Sequence, residues 1–91
     1  MSVAQSIRNT LTAALAPTEL TIEDESARHA GHAGARPEGE THFRVRIVSP
    51  AFLGMSRVAR QRHVYDLLSA ELRTRIHALS LETLTPDEVA P

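Results

Sequence analysis

Five histidines stand in a chain of 91 residues that contains no cysteine. Three of them, His29, His32 and His42, fall within the single stretch ESARHAGHAGARPEGETHF; His63 and His77 lie further on. Imidazole serves either as a general acid–base near neutral pH or as a metal ligand. The first use needs companions. No Ser-His-Asp spacing, paired carboxylates or phosphate-cradling glycine motif accompanies these residues, so an enzyme is not expected. The second use fits better, with a restriction. Without thiols there is no disulfide and no structural zinc site of the thiolate type. Any metal chemistry draws on histidine, on carboxylates, or on sulfur supplied by another molecule.

Each histidine has an ordinary reading beside the ligating one. His29 and His32, at i and i+3 in HAGHAG, are either solvent-facing loop residues or ligands that meet one metal if the loop turns helically. Gly31 and Gly34 free the backbone around His32, which makes it the first choice in the loop and His29 the second. His42 opens a strand on the same face as Arg44 and Arg46 and opposite Phe43. It is either a polar strand-end residue or a ligand approaching the loop. His77, between Ile76 and Ala78, is either a half-buried strand histidine bonded to backbone or a ligand. His63 reads as a solvated residue on a helix.

The elements that must hold these residues follow from periodicity. Ser2 caps a first helix, with Gln5 completing a capping box, and Val3, Ile7, Leu11 and Leu15 form its apolar face until Pro17. ELTIEDES alternates as a half-buried strand, with Leu20 and Ile22 on one side. HAGHAGARPEGE is loop, and THFRVRIVS is a strand with Phe43, Val45 and Ile47 inward. The two strands should pair antiparallel. Pro50 and Gly54 bracket a turn. Ser56 then caps a helix over RVARQRHVYDLLSAELR, whose inward stripe is read as Val58, Tyr65, Leu68 and Leu72. Tyr65 and Phe43 are both expected in the core. IHALSLETL is the third strand, and Thr85 with Pro86 starts a last short helix. A helical crossover makes the second and third strands parallel. The expected fold is α+β, in the order α-β-β-α-α-β when a short helix precedes the long one. Its three-stranded mixed sheet carries helices on one face.

Composition narrows the partners. Hydrophobic residues make up 42% and charged ones 23%, which reads as one soluble domain over residues 1–91. The net charge of -1 gives no global field toward nucleic acid or membrane. Locally, Arg57, Arg60, Arg62, Arg73 and Arg75 outnumber Asp66 and Glu71. They form either an ordinary charged helix face or a patch for phosphate or an acidic surface. No apolar run spans a bilayer and no signal-peptide pattern opens the chain, so a cytoplasmic location is expected; alone, the chain is expected to be a monomer.

Taken in series, ETHFRVRIVSPAFLG, RVARQRHVYDLL and IHALSLETLTPDE, with DES before the loop, resemble the BolA family over most of the chain. The resemblance implies a class II KH-like domain. It also implies a heterodimer with a monothiol CGFS glutaredoxin, sharing a bridging 2Fe–2S cluster with that partner and glutathione, and no cofactor in the isolated protein. His77 corresponds to the family's HA-motif ligand, and the loop between the first two strands to the region of the second ligand. That chemistry suits the residues, because imidazole can replace thiolate on one iron while the thiolates come from elsewhere. The resemblance further implies an alternative role as a transcriptional regulator with DNA as partner. Two departures stand out. Arg60-Gln61-Arg62 replaces the more common RHR ahead of His63, and the GxxG that clamps a nucleic-acid backbone is missing, Gly54 being followed by Met55, Ser56 and Arg57.

Overall fold

The computed structural model describes residues 2–25 and 41–89. Its elements are α1 (Val3–Leu15), β1 (Glu19–Asp24), β2 (His42–Val48), a 3₁₀ turn (Pro50–Phe52), α2 (Arg57–Leu67), α3 (Ser69–Thr74), β3 (Ala78–Leu84) and α4 (Pro86–Val89). β2 is central, antiparallel to β1 and parallel to β3, as the crossover argument requires.

Local chemistry sets the helix ends. The Ser2 hydroxyl accepts from the Gln5 N–H at 3.0 Å, giving half of the expected capping box. The Gln5 side chain turns to Asn9 instead, at 3.1 Å. Val3, Ile7, Leu11 and Leu15 are all buried, and Ala16 takes a left-handed conformation (φ 43°) before Pro17. The Ser56 hydroxyl caps α2 by accepting from the Ala59 N–H at 3.1 Å.

The sheet buries one face. Phe43, Val45 and Ile47 of β2 meet Ile22 and Leu20 of β1 and Leu79, Leu81 and Thr83 of β3 on the inner side, beneath the helices. The other side is charged. Arg46 lies between Glu19 and Glu82, at 3.3 Å from each, and ties all three strands together.

The region after Ser56 departs from the sequence reading. The long helix is broken at Leu68 into α2 and α3. The inward stripe is Arg60, Val64 and Leu68, whereas Val58 is 59% exposed and Tyr65 37% exposed. The reason is rotational: Val64 and Leu68 point to the core, so the residues four apart from them share that face and position 58 does not. Tyr65 has a use at the sheet edge. Alternate carbonyls of β3 accept from α2 side chains: Leu79 from the Tyr65 hydroxyl (2.8 Å), Leu81 from Gln61 Nε2 (3.2 Å) and Thr83 from Arg60 Nη1 (3.0 Å). β3 itself starts at Ala78, so Ile76 and His77 precede it. No helix among the described residues is long and apolar enough to cross a membrane.

Candidate metal-ligating site

Parallel pairing of β2 with β3 sets His42 opposite Ala78, next to His77. The join is made by Thr41, which is fully buried. Its carbonyl accepts the N–H groups of His77 (2.7 Å) and Ala78 (3.2 Å), so the chain enters β3 at a fixed point. Its hydroxyl lies 2.8 Å from His42 Nδ1. The two imidazoles stand edge-on, with ring centres 6.0 Å apart and planes at 73°. His42 is half-buried and His77 exposed. On the β1 side, the Glu25 N–H donates to the His42 carbonyl at 2.7 Å, while the Glu25 carboxylate reaches Arg44 Nε at 3.6 Å.

Two neighbouring imidazoles form a usable donor pair. Metal–nitrogen bonds are about 2.0–2.1 Å long, so two rings on one ion hold their centres roughly 5 Å apart. The observed spacing is 6.0 Å. Among the described residues, no three histidine, cysteine, aspartate or glutamate side chains gather to hold a metal. A metal on this pair would need further donors, from outside the described residues or from another molecule.

The other sequence candidates separate. His29 and His32 lie outside the described residues. His63 is exposed on α2. Arg57, Arg62, Arg73 and Arg75 are exposed, but Arg60 does not belong with them: it is only 5% exposed. Its guanidinium donates to the carbonyls of Met55 (3.1 Å) and Thr83 (3.0 Å) and to both Glu88 oxygens (2.7 and 3.3 Å), and it lies over the Phe52 ring. Arg60 is turned inward because it falls on the Val64–Leu68 face, where its fork finds acceptors. Glu88 also accepts the Thr85 N–H at 2.8 Å. The Arg60 guanidinium, and then the Thr85 N–H, hold the Glu88 carboxyl down at about 2. Sequence reasoning passed over Thr41 and Glu88. The Thr85–Glu88 spacing of a capping box was a signal for the second; nothing in the pattern marked the first.

The family model for BolA-like proteins matches residues 11–88. The chain belongs to the BolA family. It is 53% identical over 87 residues to the chloroplastic protein BOLA1 of Arabidopsis thaliana, an alignment covering 93% of this chain and 54% of that protein. The BolA-like chain thus spans about half the length of that relative. It is also 41% identical over 88 residues to the DNA-binding transcriptional regulator BolA of Escherichia coli, covering 97% of this chain and 80% of that one. The solved structure of BolA1 from Arabidopsis thaliana superposes with a TM-score of 0.88 at 49% identity, covering 100% of this chain and 98% of that one. The α+β fold of the BolA-like chain is that of these relatives.

Proposed function

We propose that this BolA-like chain is a non-enzymatic partner of a monothiol CGFS glutaredoxin, with which it shares a bridging 2Fe–2S cluster in iron–sulfur trafficking or iron homeostasis. The observation that carries the reading is the pair of imidazoles at His42 and His77 in a chain without a thiol. Histidine on one iron of such a cluster has precedent, provided thiolates ligate the other. When bound, the cluster would supply an iron with open positions for imidazole nitrogen. His77 would be the anchoring donor, and the second imidazole would come from the connection between β1 and β2 or its end: His32, His29 or His42. The exposed position of His77 suits a donor shared with another protein.

The experiment is anaerobic reconstitution of this chain with a CGFS glutaredoxin, iron, sulfide and glutathione, followed by sizing and iron analysis. A coloured 1:1 heterodimer with two irons and two sulfides is expected. Colour that stays with the glutaredoxin alone would reject the reading.

A second reading has one relative behind it, the regulator named as DNA-binding, and four exposed arginines, Arg57, Arg62, Arg73 and Arg75. If that surface binds DNA, affinity should fall steeply with salt and weaken on replacing those arginines. The net charge of -1 counts against it as the main role.

A further inference from the structure

We infer that α2 withholds the edge of β3 from strand addition by a second copy of this chain, with Gln61 and Tyr65 as the guarding side chains. The inference is independent of the cluster reading and concerns what keeps the chain a monomer.

β3 needs a guard. It is an outer strand of the sheet, paired to β2 alone among the described residues. ALSLETL, residues 78–84, has one charge in seven residues, three leucines, and neither glycine nor proline. An outer strand of that composition is a template for another chain, because its outward peptide groups can continue the ladder. The opposite edge is protected differently. ELTIED carries three carboxylates, Glu19, Glu23 and Asp24, in six residues, and like charges keep a second such edge away. β3 has only Glu82, which is drawn to Arg46 at 3.3 Å.

α2 supplies what charge does not. The β3 carbonyls that point away from β2 recur at every second residue, about 6.6 Å apart along the strand. Tyr65 donates to that of Leu79 (2.8 Å), Gln61 to Leu81 (3.2 Å) and Arg60 to Thr83 (3.0 Å). Four residues of helix rise about 6 Å, so donors at 61 and 65 match two successive carbonyls. Arg60 reaches the third through its longer side chain. All three outward acceptors of β3 are thereby engaged from within the chain. Arg60 is buried and also holds Met55 and Glu88, so its part is structural. Gln61 is half-buried and Tyr65 exposed, so their bonds stand at the rim where a second strand would dock.

The pairing they prevent has a definite register. Two β3 edges meeting antiparallel about a two-fold axis at Leu81 set Leu79 of one copy opposite Thr83 of the other. Ser80 of one copy then faces Glu82 of the other. Within its own sheet Ser80 lies opposite Arg44, so an acidic residue at position 80 is tolerated in the monomer.

The test is analytical ultracentrifugation of the full chain, with no glutaredoxin or metal, from about 10 μM to about 1 mM. Wild type should sediment as one chain throughout. Gln61→Met combined with Tyr65→Phe nearly keeps the size of both side chains and removes both donors. It should rise to about twice the mass with concentration. Amide hydrogen exchange at Leu79 and Leu81 should slow with concentration in this variant and not in wild type. Adding Ser80→Glu should return it to one chain, since like charges then oppose each other across the contact. None of these readouts moves if the bonds only brace the fold. Should the double variant not fold, Tyr65→Phe alone, which loses one surface hydroxyl, decides by the same measurement. A folded variant that stays one chain at the highest concentration overturns the inference. So does a dimer whose β3 amides are unprotected or that survives Ser80→Glu, and so does a wild type that already pairs through β3.

Discussion

Replacing Arg60 with methionine should cost the protein a large part of its stability. Arg60 is 5% exposed and its guanidinium donates to the carbonyls of Met55 and Thr83 as well as to Glu88. Methionine fills a similar volume but donates nothing. The Thr83 carbonyl is buried with its strand and loses its partner, and the part-buried Met55 carbonyl loses its own, at a smaller cost. Each unsatisfied buried acceptor costs about 1–3 kcal/mol. Glu88 is left out of the sum, because its side chain is 32% exposed and water can solvate it. The total is about 3 kcal/mol. In urea, at an m-value of about 1.5 kcal/mol/M, the unfolding midpoint should fall by about 2 M. Arg60→Lys should recover only part of this, since an ammonium cannot span the same acceptors. A midpoint within about 0.3 M of wild type for Arg60→Met would refute the reasoning and return Arg60 to the solvated helix face.

Three further outcomes are expected. Ile47→Asp places a carboxylate on the fully buried inner face of the central strand and should unfold the chain, with loss of its circular dichroism spectrum. Glu88→Gln should lower the melting temperature near neutral pH but not in acid. The folded carboxyl sits at about 2 against an ordinary 4.5, so its stabilisation is complete above about pH 4.5 and is lost as pH falls toward 2. A gap between wild type and Glu88→Gln that is undiminished at pH 2.5 would contradict the assignment. Ala16→Gly relieves a left-handed alanine and should raise stability by about 0.5–1 kcal/mol in urea titrations, provided Pro17 keeps the helix end in place.

Much of this fold can be read from the chain because its strongest signals are local. The four-residue recurrence of Val3, Ile7, Leu11 and Leu15, the alternation of Phe43, Val45 and Ile47, and the serine caps each report on one element. The parallel pairing of β2 and β3 follows from a rule about crossovers. The failures share one cause. Val58 and Tyr65 look like core residues and Arg60 like a surface one, because hydropathy does not say how a weakly amphipathic helix is rotated. Only the acceptors at Thr83, Met55 and Glu88 explain an arginine turned inward. The site divides the same way. His77 was marked by the family resemblance, and His42 by its place at the strand end. Their approach, through the buried Thr41, depends on register between strands far apart in sequence.

The most direct measurement of the central claim is pulsed electron paramagnetic resonance on the reduced cluster of the reconstituted heterodimer, with ¹⁵N-histidine in this chain alone. Hyperfine coupling to imidazole nitrogen from this chain is expected, lost in large part in His77→Ala, whose metal-free fold should remain intact because His77 is exposed. A cluster without coupling to the labelled nitrogen, or one whose coupling is unchanged by His77→Ala, would contradict it.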